Sequence, residues 1–442
     1  MSKIKLMAVQ TEGVSIIEES FKQYKGFLLA DIMGYGKTAQ AIQILKNRLK
    51  EPYPILIICQ AYLIYNWLDE LKMWGVKLPI CVIDSGKQIL VESKIYITSY
   101  DLSVSDGIRK QLLKKWFQLL LCDELHYCKS WNSKRARRIL GNGLTKRSYY
   151  GYRSKNILGL TGTPILNSID ELYNLVFRLA PATLNHMSKD QFMIEFSEKI
   201  YSTPWGMKYE GVKNVEKLKK MIAPVVLART EIKGLPERVN HYIRLKIKGV
   251  ELKKYIEEEN RFLEKYNIKE NDILNIQKIG KLDATTLADI RHRSTLYKLP
   301  HLLKLINDLR ENKTPVVVYV YYRETLKKLK ENLKIKKSEF VDGSVTIKKR
   351  HDIVKKFQAG KIECLCATLG SLREGVNLTA SSYVIIAEFD YTPAKMNQAI
   401  SRLHRKGQKN IVSVYYMFFE SGIDKHVINL VKRKNDIISK IF

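Results

Sequence analysis

The sequence predicts an α/β protein built from two tandem parallel-sheet lobes. Three observations carry this. Short apolar runs alternate with helical patterns between residues 27 and 160. A glycine-rich turn joins the first of these runs to a helix. A second set of apolar runs begins near residue 300 and has no such turn. Strands alternating with helices form parallel sheets, and ligands bind such sheets at the carboxyl ends of the strands.

Taken in order, residues 6–14 open a helical segment. Residues 27–30, Phe-Leu-Leu-Ala, read as a buried strand. The strand leads into Asp31-Ile32-Met33-Gly34-Tyr35-Gly36-Lys37-Thr38, and a helical pattern follows through Ala41, Ile42 and Leu45. Strand, glycine loop, Gly-Lys-Thr and helix together make the setting of a phosphate-binding loop. Gly34 and Gly36 let backbone N–H groups turn inward around a polyphosphate at the positive end of the helix. Lys37 is placed to neutralise the β- and γ-phosphates, and the Thr38 hydroxyl to hold Mg²⁺. Asp31 stands where the G-x-x-x-x-G-K-S/T pattern has its first glycine. Taken alone, the stretch also reads as an ordinary strand-to-helix turn.

Residues 54–59 read as the next strand. Residues 62–74 read as a helix with Leu63, Trp67, Leu68 and Leu71 inward. Residues 95–100 form another strand. Residues 119–122 form a strand running into Asp123-Glu124-Leu125-His126, and residues 157–160 one running into Thr161-Gly162-Thr163-Pro164. An acid at a strand end can hold Mg²⁺, and a neighbouring carboxylate can orient and deprotonate water, so Asp123 and Glu124 form the second half of a nucleotide site. Two solvated loop acids would be the bland reading, which the four apolar residues before the pair oppose.

In the second set, residues 316–320, 363–367, 383–387 and 412–416 read as strands. Between the last two lies the run from Gln398 to Gln408, whose pattern is helical. On a helix Arg402 and Arg405, three apart, share a face, and arginines offered to a γ-phosphate act as fingers. The intervening stretch around Glu257-Glu258-Glu259 is highly charged and reads as a solvated linker with helices. The expected domains are residues 1–235, a lobe with the phosphate loop and acid pair; 236–298, a linker and helical segment; and 299–442, a lobe with the arginine pair.

Composition narrows the function. Apolar content of 45% and charged content of 27% in 442 residues are those of a globular chain. Lys+Arg number 76 against 45 Asp+Glu, a formal charge of +31. Such an excess calls for an anionic partner, with nucleic acid first and an anionic membrane surface as the rival. No run of 18 apolar residues exists to span a bilayer. The first residues hold too little apolar sequence for a signal peptide, so the expected setting is intracellular, cytoplasmic or nucleoid-associated. The six cysteines lack zinc-ligand spacing and read as buried thiols.

One further stretch combines charge with aromatic rings. Residues 141–155 carry Lys146, Arg147, Arg153 and Lys155 with Tyr149, Tyr150 and Tyr152, and follow the basic run Lys134-Arg135-Ala136-Arg137-Arg138. Flanking glycines make it an exposed loop or hairpin. Cations with aromatic rings suit phosphate contact and base stacking, and so a contact with DNA where strands diverge. The alternative is a solvated loop whose tyrosines pack on the first lobe.

Together these residues resemble helicase superfamily 2, and within it the Swi/Snf-type DNA translocases. The resemblance rests on Leu160-Thr161-Gly162-Thr163-Pro164-Ile165-Leu166-Asn167, Glu171-Leu172-Tyr173-Asn174-Leu175, Asn66-Trp67 with Glu70, and Arg229-Thr230 with Leu235-Pro236. In the second lobe Asp342-Gly343-Ser344, Arg350, Phe357, Gly375, Asn377-Leu378-Thr379 and Gln398 to Gln408 follow in order. The motifs span about residues 6–420, and an ordered set of this length is specific. The resemblance implies two RecA-like lobes with an ATP cleft between them, and ATP and Mg²⁺ as cofactors. It implies that Gln10 reads adenine, that Thr161 and Thr163 couple nucleotide state to DNA, that Gly375 lies at the lobe interface among the nucleotide-binding residues, and that Arg402 and Arg405 are the fingers. Ile32, Gln60 and Leu125 depart from the family's usual residues, and none removes a catalytic group. The chain is similar to compact fork-remodelling and branch-migrating members, including phage-encoded ones. The expected function is therefore an ATP-driven motor on duplex, forked or branched DNA. A strand-separating helicase on DNA or RNA and a catalytically idle, ATP-switched clamp are the alternatives.

Overall fold

A computed structural model describes residues 5–141, 148–162, 168–203, 206–231, 234–245, 284–311, 314–372, 376–390 and 393–419, with shorter stretches between 254 and 264 and between 424 and 441. The chain divides into two compact units, Met1–Ile232 with Ile437–Phe442, and Lys233–Asp436.

The first unit runs α1 (Ala8–Gln23), β1 (Gly26–Leu29), α2 (Lys37–Asn47), β2 (Ile55–Cys59), α3 (Ile64–Met73), β3 (Ile80–Ile83) and β4 (Ile95–Ser99). It continues with α4 (Tyr100–Ser103), α5 (Asp106–Leu112), β5 (Phe117–Cys122), α6 (Lys134–Ile139), β6 (Ser154–Leu160), α7 (Asp170–Leu179) and α8 (Lys189–Phe196). The hairpin β7 (Lys199–Thr203) and β8 (Gly206–Glu210), then α9 (Val215–Ile222) and β9 (Val226–Leu227), complete it. Seven strands form one parallel sheet in the order β3-β4-β2-β5-β6-β1-β9. Successive residues of a strand point to opposite faces. Accordingly Leu28, Leu56, Ile58, Leu120 and Ile157 belong to one buried cluster, and Phe27, Leu29, Ile57, Leu121 and Leu158 to another. Both faces are covered, as parallel sheets require. Helices α1, α2 and α3 supply Ile17, Ile42, Leu45, Trp67 and Leu71 to the second cluster. Burying one such side chain stabilises by roughly 1.5–3 kcal/mol, more than an exposed ion pair contributes, so the apolar alternation decides the layers.

Strand order sets the site. Strand β6 lies between β1 and β5, so Thr161 follows a strand flanked by those that precede the phosphate loop and the acid pair.

In the second unit β10 (Arg238–Leu245), α10 (Ala284–Arg310), β11 (Val316–Val320), α11 (Arg323–Asn332) and β12 (Ser338–Val341) come first. Then follow α12 (Ile347–Gln358), β13 (Cys364–Thr368), β14 (Tyr383–Ile386), α13 (Pro393–Ile400) and β15 (Val412–Phe419). The sheet order is β10-β15-β14-β11-β13-β12, all parallel.

Two expectations change. Residues 238–245 fall in the stretch read as a solvated linker, yet they pair with β15 along eight residues, from Arg238↔Val412 to Leu245↔Phe419. An edge strand with one half-exposed face carries polar residues, and Arg-Val-Asn-His-Tyr-Ile-Arg-Leu hides its pairing in its charge. Helix α13 ends at Ile400, so Arg402 and Arg405 lie in the turns after it and not on the helix expected there. The Gly407 φ of 100° closes those turns.

Candidate functional site

The phosphate loop takes the shape its glycines allow. Gly34 has φ 91° and Gly36 φ 80°, in the left-handed region where a side chain is strained. Gly36 is the N-cap of α2, which starts at Lys37, so Thr38 is its second residue. The first N–H groups of a helix have no intrahelical partner and are available to an anion. Lys37 folds back over the loop, its Nζ donating to the Asp31 carbonyl at 2.7 Å and the Ile32 carbonyl at 3.3 Å.

Gln10 reaches the same loop from α1. Its Oε1 accepts from the Met7 N–H at 3.0 Å, which caps the helix, and its Nε2 donates to the Tyr35 carbonyl at 3.3 Å. A Cβ at Gly36 would lie 2.1 Å from that Nε2, so the glycine is needed for the approach as well as for its φ. Gln10, Gly34, Gly36, Lys37 and Thr38 therefore belong to one loop-and-helix cluster.

The acid pair follows β5. The Trp67 indole N–H donates to Asp123 Oδ2 at 2.9 Å, and the Glu124 N–H donates to Oδ1 at 3.0 Å. Tyr100 donates its hydroxyl to the Asp123 carbonyl at 2.8 Å. Burial, and then the charge of Glu124, push the Asp123 carboxyl up to about 6, against the Trp67 bond and the positive charge of Lys37. Glu124 itself has φ 52° and ψ 54°. A non-glycine residue held there costs on the order of 1–3 kcal/mol, which the surrounding packing must supply. The next residue helps: Leu125 is fully buried and occupies the space a Cβ would need at Gly159, 2.3 Å from its Cδ2. His126 Nδ1 lies 3.1 Å from Glu124 Oε2 and 3.2 Å from Thr161 Oγ1. Glu124 and Thr161 thus meet through one imidazole. Thr163 lies outside the described residues.

In the second unit, Arg405 Nη1 donates to the Val376 carbonyl at 3.1 Å, and the Leu378 N–H donates to the Arg402 carbonyl at 2.9 Å. The turn carrying both arginines is thereby fastened to residues 376–378. Gly375 lies outside the described residues. Burial holds the Arg405 guanidinium below the ordinary arginine range.

The basic, tyrosine-bearing stretch is less exposed than its composition implies. Lys146 and Arg147 lie outside the described residues. Tyr150 is fully buried, donating its hydroxyl to the Ser103 carbonyl at 2.6 Å. Ser154 and Lys155 already belong to β6, with Lys155 exposed. Tyr149 packs its ring over Gly141 and lies 6.1 Å from the Tyr152 ring. Arg153 stacks on Trp116, 5.1 Å from the ring centroid. These residues precede β6 or form its first residues, whereas the phosphate loop, the acid pair and Thr161 follow their strands. In a parallel sheet that puts them at opposite ends.

Trp67, Tyr100, His126 and Arg229 hold the site together without having been assigned roles from sequence. Trp67 and Arg229 fall in motifs of the resemblance. The signal for His126 is its place two residues after Glu124. Tyr100, at a strand end, carries no local signal. Among the described residues, no three His, Cys, Asp or Glu cluster as metal ligands, and no helix is long and apolar enough to cross a membrane. All six cysteines are buried free thiols.

The chain matches two protein-family models. Residues 9–311 match the SNF2-related domain, and residues 297–407 the helicase conserved C-terminal domain. An ATP-dependent helicase of Mycoplasma genitalium is 29% identical over 98% of this chain and 42% of its own length. The SWI/SNF-related matrix-associated actin-dependent regulator of chromatin subfamily A-like protein 1 of Xenopus tropicalis is 25% identical over 98% of this chain and 45% of its own length. The chain thus spans less than half the length of these relatives. A solved structure, the SWI2/SNF2 ATPase core of Sulfolobus solfataricus in complex with dsDNA, is 23% identical, with a TM-score of 0.46 over 100% of this chain and 93% of that one.

Proposed function

The chain belongs to the SNF2-related family, and from that membership we propose that it is an ATP-driven motor on DNA that remodels forked or branched duplexes. The observation that carries the reading is the cluster of Gln10, Gly36, Lys37 and Thr38 around one loop and the two helices that meet it, with Asp123 and Glu124 two strands away at the same end of the sheet.

The residues fit ATP and magnesium. The Lys37 ammonium rests on loop carbonyls, and two adjacent carboxylates, one of them raised by burial and by the other's charge, form a place that a cation would stabilise. Thr38 and Asp123 would hold Mg²⁺, which when bound offsets phosphate charge. Lys37 binds the phosphates, Gln10 reads the adenine, and Glu124 orients a water and takes its proton. Arg402 and Arg405 are proposed as the arginines that stabilise charge on the transferring phosphoryl group. Thr161 and Thr163 couple nucleotide state to DNA contacts, Thr161 being linked to Glu124 through His126, and Gly375 is one of the nucleotide-binding residues.

The test is the ATPase rate with linear duplex, single-stranded, forked and four-way DNA, and with RNA. Forked and four-way DNA are expected to stimulate most. Stimulation by single strands or RNA alone would favour a strand-separating helicase, and no stimulation by any of them would favour an ATP-switched clamp.

Binding is expected to depend steeply on salt, because a charge of +31 implies several phosphate contacts. Six to ten contacts lose about 10³-fold or more in affinity between roughly 50 and 200 mM salt, and a flat response would contradict a motor that tracks the backbone.

The stretch around Tyr149 is proposed to touch DNA where strands diverge, on the strength of its cations and rings. Because it sits at the opposite end of the strands from the phosphate loop, it is separable from hydrolysis. Replacing Lys146, Arg147, Arg153 and Lys155 with alanine is expected to remove the extra stimulation by forks and junctions and to keep turnover on linear duplex. Equal loss on both substrates would make the stretch a general DNA contact, and no loss on either would make it a packing element only.

A further inference from the structure

Asp31 breaks the glycine pattern of the phosphate loop, and its side chain is fully buried. A carboxylate removed from water needs a cation and hydrogen bonds. Both come from Arg229, 198 residues further along the chain. Arg229 Nε donates to Asp31 Oδ1 at 2.9 Å and Nη2 donates to Oδ2, the forked geometry that only arginine offers. The Arg229 backbone N–H donates to the same Oδ1 at 3.1 Å, and the Ile32 N–H donates to the Arg229 carbonyl at 3.0 Å.

The guanidinium does more than neutralise Asp31. Its Nη1 donates to the Val9 carbonyl at 2.6 Å, directly before Gln10 in sequence. Its Nη2 donates to Gln40 Oε1 at 3.1 Å on α2, and Gln40 Nε2 donates back to Asp31 at 3.2 Å. Its face lies over the Tyr35 ring at 4.4 Å. A Cβ at Gly13 would fall 2.0 Å from Gln40 Oε1 and 2.8 Å from Arg229 Nη2, so α1 carries a glycine where this group passes. The Asp31 carbonyl is also the resting partner of Lys37. One side chain is therefore bonded to the residue before Gln10, to the residue that holds Lys37, and to the helix that begins with Lys37.

We propose that Arg229, seated on Asp31, is a positioning residue that sets the spacing between the adenine-reading Gln10 and the phosphate-binding Lys37. The base and the phosphates then bind as one unit, and ATP affinity draws on both ends. The inference rests on the roles given to Gln10 and Lys37 above.

The test compares affinity for ATP with affinity for inorganic tripolyphosphate, which has no base. The unaltered protein is expected to prefer ATP. In Arg229→Met that preference should fall about tenfold or more, the range for a lost set of charge-assisted hydrogen bonds, while tripolyphosphate affinity changes by less than about threefold. Arg229→Lys keeps the charge without the fork and should fall in the same direction. The double variant Asp31→Leu with Arg229→Met removes the buried carboxylate and its partner charge together. It is expected to regain thermal stability without regaining the preference for ATP. An undiminished preference in Arg229→Met and Arg229→Lys, or its recovery in the double variant, would make the pair mere charge compensation and overturn the inference alone. An unaltered protein that binds tripolyphosphate as tightly as ATP would overturn the role of Gln10 and the inference with it.

Discussion

Purified Glu124→Gln protein is expected to bind ATP nearly as well as the unaltered chain and to turn it over about 10²–10⁴-fold more slowly, the range for loss of a general base. Glutamine keeps the shape and volume of glutamate but cannot take a proton from water. The left-handed backbone at residue 124, the buried Leu125 behind it and the neighbouring His126 all stay in place. Lys37→Ala is the complementary experiment. It removes the ammonium that rests on the Asp31 and Ile32 carbonyls, and with it the charge that meets the phosphates, so nucleotide binding itself should be lost. The two variants separate binding from chemistry. Undiminished turnover in Glu124→Gln would remove the acid pair from the mechanism.

Arg405→Ala is expected to leave ATP affinity within a few fold and to lower kcat by about 10³ or more, as for arginines that act on a transferring phosphoryl group. Arg402→Ala should act in the same direction, and more mildly. Arg405 is half-buried, which disfavours an idle charge there, and its bond to the Val376 carbonyl fixes the turn it stands on. Single-turnover and steady-state rates, measured alongside DNA affinity, check it. A change in DNA affinity alone would assign Arg405 to the nucleic acid.

Much of this fold is written in local pattern. The strands that end at Leu29, Cys122 and Leu160 finish in buried, mostly apolar runs because both faces of the sheet are covered, and each is followed by a polar motif. The phosphate loop is legible because glycine is the residue that tolerates φ values of 80–91°. What stayed illegible depends on long-range contact. Residues 238–245 look like charged linker because an edge strand's partner, here 412–419, lies far away in sequence. Tyr150 looks like a loop residue because nothing local announces the Ser103 carbonyl that receives its hydroxyl. Arg402 and Arg405 keep helical spacing although α13 has ended at Ile400. Asp31 looks like a defect in a motif until Arg229 is seen beside it.

The central claim, that ATP hydrolysis drives movement along DNA, is tested most directly by displacement of a third strand from a duplex track. With ATP, the protein is expected to strip the third strand from the duplex without separating the two strands beneath it, and Glu124→Gln should leave it bound. Displacement that proceeds equally without ATP, or steady ATP turnover on the same track with the third strand left in place, would contradict the account.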